Sequence, residues 1–255
     1  YNYIVDISIN ERHWKHKQIK KKYKINLFLE YISPLNFTEI FPSEFNLFMP
    51  NQELFLSFDK LKNINYILCK SKIALQFFKY IKKEKNHTYK CLYTKFTTNI
   101  PKNIKNSKIN KNPNLFVHLA GKSGLKNTAS LIYCWIQNNG FIDIDPNIEL
   151  YITCYRSCFR KMINSLKELY DFDFNYNTNQ TKIKIKNIIF YSEPAPFELY
   201  NKLLVDANVA LCISSKEGNG HYINEARFFE TFVVVLDHPP MNELIKDNIN
   251  GFIIK

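Results

Sequence analysis

The sequence lacks any apolar run of 18 or more residues, which excludes a membrane-spanning helix. It also lacks a secretory signal pattern, and it opens as YNYIVDIS without an initiator Met, which favours a fragment of a longer protein. Its 255 residues, 45% of them hydrophobic, are nevertheless enough to bury a sizeable core and to form two compact halves. We therefore expect a two-lobed cytoplasmic protein.

The six cysteines lack the spacing of a disulfide framework. Most of them lie inside apolar runs, which is typical of buried reduced thiols and indicates a reducing compartment. The spacings of Cys154 with Cys158 and of His13 with His16 could each begin a metal site, but neither has a second pair at a matching interval. We expect no metal and no other cofactor.

The excess of positive charge, +12 overall, would ordinarily suggest a nucleic acid or an anionic membrane as partner. Lys, Asn and Ile are enriched together, however, as AT-rich coding would produce. The densest basic cluster, HKQIKKKYK at residues 16–24, has two interpretations: a peripheral contact with anionic lipid or a phosphorylated acceptor, or a solvated connection, which we favour. Because no RNA-recognition signature with clustered aromatics is present, we expect no specific nucleic-acid partner.

Strand and helix patterns alternate along the chain, which predicts an α/β protein with parallel sheets. In the first half we predict a helix at 73–83 and strands at 3–9, 25–30, 45–49, 66–69 and 91–94. The polar stretch at 101–114 predicts a linker, and 172–186 resembles a polar insertion. In the second half we predict strands at 115–120, 149–154, 188–191, 209–213 and 232–236, and helices at 128–138, 158–170, 197–207 and 221–230.

The most informative segment is CISSKEGNGHYINEA at residues 212–226, which predicts a strand, a turn containing Gly218 and Gly220, and a helix. Unpaired N–H groups and the positive end of the helix dipole make such a turn a site for a diphosphate. Glu217 and Glu225 bracket it, and carboxylates repel phosphate but accept hydrogen bonds from hydroxyls, which predicts a nucleotide sugar as ligand. Alternatively, both are solvated charges at a helix start.

A second turn, at residues 121–126, follows the strand predicted at 115–120 and contains Lys122 and Lys126. Since ligands of a doubly wound sheet bind at the carboxyl ends of its strands, this turn and the Glu217 turn can open onto one crevice. Two lysines there would stabilise the charge that grows on a departing nucleoside diphosphate. The alternative is that any loop of so Lys-rich a chain contains lysine.

At residues 212–226 the chain resembles the retaining glycosyltransferases of family 4, also called group 1, whose E-x7-E signature matches Glu217 and Glu225. The downstream order also matches: a helix, the Val-rich strand TFVVVLDH, a loop with Glu243, and a short strand that begins at Gly251. The resemblance covers residues 115–255 well and the first half loosely. It implies a GT-B fold with two Rossmann-like lobes, a shortened N-terminal acceptor lobe at 1–100, a linker at 101–114, and a nucleotide-sugar lobe at 115–255.

The resemblance further implies metal-independent, retaining transfer of a hexose from a UDP- or GDP-sugar to a glycan, lipid or protein acceptor. It places Glu217 at the donor sugar, Glu225 at the ribose, and Lys122 and Lys126 at the diphosphate. Other donor contacts are expected from Gly121, Gly218, Asn219, Gly220, His221 and Asn51.

Some of these positions depart from the family pattern or have another interpretation. Asn51 or Gln52 stands where the family often has a His, and a plain turn after Pro50 is as good an interpretation. Asn219 replaces an aromatic residue. His221 is a candidate for acid–base work, but a cap or packing role is favoured. The alternative functions are a non-catalytic sugar-nucleotide-binding module, an epimerase or phosphorylase of the same architecture, and last a basic nucleic-acid binder.

Overall fold

The structure is a computed structural model that describes residues 23–30, 43–52, 58–95, 109–170, 180–193 and 195–255. The strand predicted at 3–9 and most of the predicted linker and basic cluster lie outside these ranges. The chain forms two compact units, one of Tyr1–Cys69 with Phe77–Leu92 and the other of Lys70–Gln76 with Tyr93–Lys255.

The first unit contains a four-stranded sheet in the order β1-β2-β3-β4, with the strands Tyr23–Glu30, Ser43–Pro50, Tyr66–Cys69 and Lys90–Tyr93. The pairs β1–β2 and β2–β3 are parallel. Helix α1, Lys72–Glu84, connects β3 to β4. Phe78 of this helix is fully buried and packs edge-on against Phe48 of β2, with 6.4 Å between ring centroids. The apolar face of the helix therefore covers the sheet.

The second unit contains a seven-stranded sheet in the order β11-β10-β9-β5-β6-β8-β7. Its strands, in chain order from β5, are Asn112–Gly121, Glu149–Cys154, Lys182–Ile185, Ile188–Tyr191, Ala207–Cys212, Phe232–Leu236 and Gly251–Ile254. All neighbours are parallel except the antiparallel hairpin of β7 and β8. Without β7 this is the doubly wound order, in which the chain reverses direction across the sheet between β5 and β9.

Among the described residues, five α-helices accompany this sheet: α2 Thr128–Gln137, α3 Arg156–Tyr170, α4 Phe197–Asp206, α5 His221–Phe228 and α6 Met241–Leu244. Alternate residues of β6 enter different cores, as expected for a strand buried on both faces. Leu150 and Ile152 pack with α2 and α3, whereas Tyr151 belongs to the core that contains residues of α4 and α5. The sheet therefore lies between two helical layers.

Asn187 fixes one edge of this arrangement. Its Oδ1 accepts a hydrogen bond of 3.1 Å from Trp135 Nε1, and its Nδ2 donates to the carbonyls of Gly140 and Ile148 at 2.8 and 2.9 Å. Gly140 has φ +64°, and a Cβ there would lie 2.3 Å from Asn187 Oδ1. Only glycine fits this position without strain. The side-chain amide of Asn187 thus joins α2, the following turn and the start of β6.

The described strands and helices confirm the predicted mixed α/β architecture with parallel sheets. Two stretches contain strand residues that were not predicted. The polar insertion predicted at 172–186 contains β7, because its KIKI alternation buries Ile183 against the core and leaves the lysines outside. Strand β5 begins at Asn112, inside the stretch predicted as linker, because Asn112 pairs with Ala207 and a register shift follows before Phe116. No helix within the described ranges is long and apolar enough to cross a bilayer.

Candidate functional site

The turns that follow β5 and β9 meet at the carboxyl ends of these neighbouring strands. The backbone N–H and the Oγ of Ser215 donate to the Leu125 carbonyl at 2.8 and 3.1 Å. From the other side, Asn127 Nδ2 donates to the Ile213 carbonyl at 2.8 Å. The two turns are therefore in direct contact where the strand order reverses, which is the usual ligand position in doubly wound sheets.

His118 anchors the turn after β5 from below. It is fully buried, with Nδ1 2.7 Å from the Leu211 carbonyl and Nε2 2.9 Å from Thr128 Oγ1. Because a carbonyl only accepts, Nδ1 carries the proton and Nε2 accepts from the threonine hydroxyl. Burial lowers the pKa of His118 to about 4, so the ring is neutral at pH 7. Sequence analysis missed this residue, although a histidine inside the apolar run VHLA is a visible signal.

Lys126 and Glu217 form an ion pair across the two turns. Their side chains are only 12% and 14% exposed, so solvent screens this pair less than a surface salt bridge. Ser214 Oγ donates to Glu217 Oε1 at 2.8 Å and lies 2.5 Å from the Tyr222 hydroxyl. The Lys126 ammonium lies 3.3 Å from the centroid of the Tyr222 ring. Two predicted residues thus share a cluster with two that sequence analysis missed, Ser214 and Tyr222.

Glu225, one turn further along α5, accepts a hydrogen bond of 2.5 Å from the Tyr200 hydroxyl of α4. Burial, and then the nearby Glu225 carboxylate, raises the pKa of Tyr200 well above its usual range. Tyr200 is therefore protonated and donates to Glu225. Sequence analysis did not find Tyr200, because its partner lies 25 residues away on another helix.

A cavity of about 280 Å³ lies beside these groups. Its lining includes Leu119 and Gly121 at the end of β5, Thr153 at the end of β6, and Tyr155, Glu193 and Tyr200. Tyr200 connects this cavity to Glu225, and Gly121 connects it to the turn that holds the two lysines. The cavity therefore lies next to the first turn and to Glu225, within the second unit.

The turn before α5 has the backbone expected of an anion site. Gly220 is left-handed, with φ +67°, and no side chain caps the helix. A Cβ at this position would lie 2.9 Å from Ile223 Cδ1, so the turn favours glycine. Asn219 is only 4% exposed, and its buried Nδ2 has no acceptor among the described residues. An unfilled buried donor at a helix N-terminus fits a ligand that supplies acceptor oxygens.

The other predicted donor contacts are more dispersed. Lys122 is exposed, with its ammonium 4.6 Å from the centroid of the Tyr155 ring, so Lys126 is the lysine that meets Glu217. Gly121 ends β5 with φ +58° and Gly218 is buried in the second turn. His221 is exposed at the first position of α5. Asn51 directly follows β2 in the first unit.

Within the described part of the chain, no group of three or more His, Cys, Asp or Glu side chains could hold a metal ion. The best-fixed charged groups here are instead Lys126 and Glu217, which pair across the two turns, and Glu225 of α5, which Tyr200 holds. This set can bind phosphate through Lys126 and hydroxyls through the glutamates.

No family model matches the sequence, and no curated protein matches it. Solved structures do. An E. coli trehalose-6-phosphate structure bound with UDP-2-fluoro glucose superimposes with TM-score 0.61 at 8% identity, over 84% of this chain and 58% of that one. Anabaena HepE in complex with UDP and glucose gives TM-score 0.53 at 14% identity, over 89% and 57%.

The apo lipopolysaccharide outer core galactosyltransferase WaaB gives TM-score 0.53 at 15% identity, over 82% of this chain and 54% of that one. At such low identity these likenesses show the fold, which is GT-B, as the resemblance implied. The chain spans 54% to 58% of the length of these three structures, which fits the expected shortened lobe.

Proposed function

We propose that this chain is the nucleotide-sugar-binding part of a retaining, metal-independent glycosyltransferase that moves a hexose from a UDP- or GDP-sugar to an acceptor. The observation that carries this proposal is the meeting of Lys126 and Glu217 where the strand order reverses between β5 and β9. A cation for phosphate and an anion for hydroxyls are thereby placed side by side at the usual ligand position of this sheet.

The diphosphate would lie between the Lys126 ammonium and the start of α5. The amides of Gly218, Asn219 and Gly220 and the positive end of the helix dipole favour phosphate oxygens there. The buried Asn219 Nδ2 would gain an acceptor, which relieves a cost of about 1–3 kcal/mol for an unpaired buried donor. Lys126 would share its charge between the diphosphate and Glu217, and Lys122 at the same turn would add to the field.

The nucleoside end would extend toward Glu225 and the cavity. Tyr200 fills one Glu225 oxygen and leaves the other to accept from ribose hydroxyls. The cavity of about 280 Å³ that shares Tyr200 would receive the base. This order places ribose, diphosphate and sugar along a single line from Glu225 to Glu217.

The sugar would lie against Glu217, whose carboxylate accepts hydrogen bonds from its hydroxyls. In the reaction the bond between the anomeric carbon and the diphosphate oxygen breaks, and the acceptor oxygen bonds to the same face of that carbon. The departing diphosphate takes the proton of the acceptor hydroxyl. Lys126 stabilises the charge that develops on the diphosphate, so the contact strengthens toward the transition state.

The names of the structural neighbours support this proposal. One is a galactosyltransferase, one is bound with UDP-2-fluoro glucose, and one is in complex with UDP and glucose. Ligands of the same chemical class would fit the cluster of Lys126, Glu217 and Glu225.

The proposal is tested by titrating UDP- and GDP-sugars against the wild-type protein and its Lys126→Ala and Glu225→Ala variants. Each variant is expected to bind about 10- to 100-fold more weakly, since a hydrogen bond to a charged group is worth about 1.5–3 kcal/mol. Lys184→Ala and Glu149→Ala are matched controls, because this ion pair of 2.8 Å joins β7 to the amino end of β6. Unchanged affinity in both site variants would remove the assignment.

A non-catalytic nucleotide-sugar-binding module is the second candidate, because the groups held by the Lys126–Glu217 and Tyr200–Glu225 contacts would bind a nucleotide sugar with or without turnover. Such a module would bind the nucleotide sugar and turn nothing over. Measuring acceptor-dependent release of nucleoside diphosphate separates it from a transferase, and the same assay separates the transferase from an epimerase or a phosphorylase.

A further inference from the structure

One side chain, Tyr222, contacts Lys126 with its ring and reaches Glu217, the other member of the ion pair, through Ser214. It is the second residue of α5 and is only 7% exposed. The face of its ring lies under the Lys126 ammonium, 3.3 Å from the centroid. Its hydroxyl lies 2.5 Å from Ser214 Oγ, which in turn donates to Glu217 Oε1 at 2.8 Å. Tyr222 therefore links the phosphate-binding cation to the sugar-binding anion.

We propose that Tyr222 is a positioning residue with two separable parts, a ring that holds Lys126 at the diphosphate and a hydroxyl that holds Glu217 at the sugar through Ser214. The inference rests on the proposed function. It assigns a role to a residue that neither the E-x7-E spacing nor the basic pair of the first turn would indicate.

The ring supplies a partner for Lys126 that a ligand does not displace. A lysine ammonium sits on a flexible four-carbon stem, and fixing it in one position costs conformational entropy. The buried cation–π contact with the Tyr222 ring favours this one position and offsets part of that cost. When a diphosphate competes with Glu217 for the ammonium, the ring still lies beneath it. Lys126 is thus held at the turn before and after ligand binding.

The hydroxyl part follows from the direction of the hydrogen bonds. The Glu217 carboxylate only accepts, so the single proton of Ser214 points to Glu217. With that proton directed at Glu217, the Tyr222 hydroxyl donates to Ser214 Oγ, and it also lies within hydrogen-bonding reach of Glu217 itself. Tyr222, Ser214 and Glu217 thus form one hydrogen-bonded chain. Burial raises the pKa of Tyr222 well above its usual range, so the chain keeps its proton at all ordinary pH values. Such a chain fixes the carboxylate and leaves its second oxygen for a sugar hydroxyl.

The two parts are separated by two substitutions. Tyr222→Phe keeps the ring and removes the hydroxyl, whereas Tyr222→Leu removes both. Each protein is titrated with a nucleoside, with its nucleoside diphosphate and with the corresponding nucleoside-diphosphate sugar. The dissociation constants are measured from NMR chemical-shift changes, which report affinities in the millimolar range. The increment from nucleoside to diphosphate reports Lys126, and the increment from diphosphate to sugar diphosphate reports Glu217.

We expect Tyr222→Leu to reduce the diphosphate increment about tenfold, because losing a cation–π contact of about 1.4 kcal/mol changes an affinity by that factor. Its nucleoside affinity should not change. Tyr222→Phe should keep the diphosphate increment and lose much of the sugar increment, and Ser214→Ala should do the same. If Tyr222→Leu does not fold, the Phe and Ser214→Ala variants still test the hydroxyl part.

Tyr151→Leu is the matched control, because Tyr151 is also buried and has a lysine ammonium, that of Lys182, 6.0 Å from its ring centroid. It should lower stability without a selective loss of the diphosphate increment. Equal losses for nucleoside and diphosphate in Tyr222→Leu would show a purely structural role and overturn the inference, as would unchanged increments in both Tyr222 variants. A wild-type protein that binds no nucleoside diphosphate would instead overturn the proposed function, and the inference with it.

Discussion

The ammonium of Lys126 lies against the carboxylate of Glu217, although 91 residues separate them along the chain. The contact exists because β5 and β9 are neighbours in the sheet, so the turns at their carboxyl ends must share the same space. Pairing also neutralises two largely buried charges, and burying either charge without its partner would cost stability.

The stability effects of removing the two members of this pair should not be additive. We expect Lys126→Ala and Glu217→Ala each to lower the free energy of unfolding by about 3 kcal/mol, since each strands a partly buried charge. The double variant should lose less than the sum, with a coupling of about 1–3 kcal/mol in urea denaturation. The exposed Lys184–Glu149 pair, with side chains 59% and 40% exposed, should show a coupling of about 0.5 kcal/mol or less. Equal couplings for the two pairs would contradict the account of burial.

His118 should make the free energy of unfolding depend on pH. Because burial lowers its pKa to about 4 in the folded protein, the unfolded chain binds a proton there first as the pH falls through 6.5. Stability should therefore be lost between about pH 6.5 and 4, by on the order of 3 kcal/mol, and level off below that window. Carboxylates titrate in the same range, so the informative quantity is the difference from His118→Gln, whose amide can replace both hydrogen bonds. Parallel pH profiles for the two proteins would show that His118 does not titrate as described.

Cys91 should react faster than its exposure suggests. A hydrogen bond from the buried Cys69 thiol, and then the charges of Lys82 and Lys79 on α1, lower the pKa of Cys91 despite partial burial. More thiolate at neutral pH means faster alkylation. With iodoacetamide at pH 7 and peptide mass spectrometry, Cys91 should be modified before the exposed Cys134, and Cys69→Ala should slow it. Faster labelling of Cys134, or no effect of Cys69→Ala, would count against this environment.

Gly140→Ala should unfold the second unit more easily. The new Cβ would lie 2.3 Å from Asn187 Oδ1, and the alanine backbone would have to adopt φ +64°. Both the clash and the left-handed backbone cost free energy, so we expect a loss of about 3 kcal/mol or more in urea denaturation. Gly124→Ala is the control, because nothing lies within 4 Å of its Cβ and its φ is not positive. It should cost less than about 1 kcal/mol. Similar losses for the two variants would refute the role of Asn187.

Much of the second unit could be predicted from the sequence, because strands such as β6 and β8 are largely buried and most strands appear as continuous apolar runs. The strands predicted at 149–154, 188–191 and 232–236 have those bounds in the structure. The short strand β7 escaped prediction, because four residues alternating Lys and Ile give too little signal beside a polar stretch.

Site residues that lie within one short segment of the sequence could be predicted. Those that are brought together only by the packing of distant elements could not. Glu217 and Glu225 share one turn and helix, so their spacing is visible in the sequence. Tyr200 and His118 act through partners 25 and 93 residues away, which only the packing of α4 on α5 and of β5 on β9 brings close. Tyr222 reaches Lys126 for the same reason.

A crystal structure with UDP or GDP bound tests the central claim most directly. We predict that the diphosphate oxygens lie within hydrogen-bond distance of Lys126 Nζ and of the amides at residues 218–220, with a ribose hydroxyl on Glu225. A nucleotide bound elsewhere on the chain, or these groups left without contact to a bound nucleotide, would contradict the account.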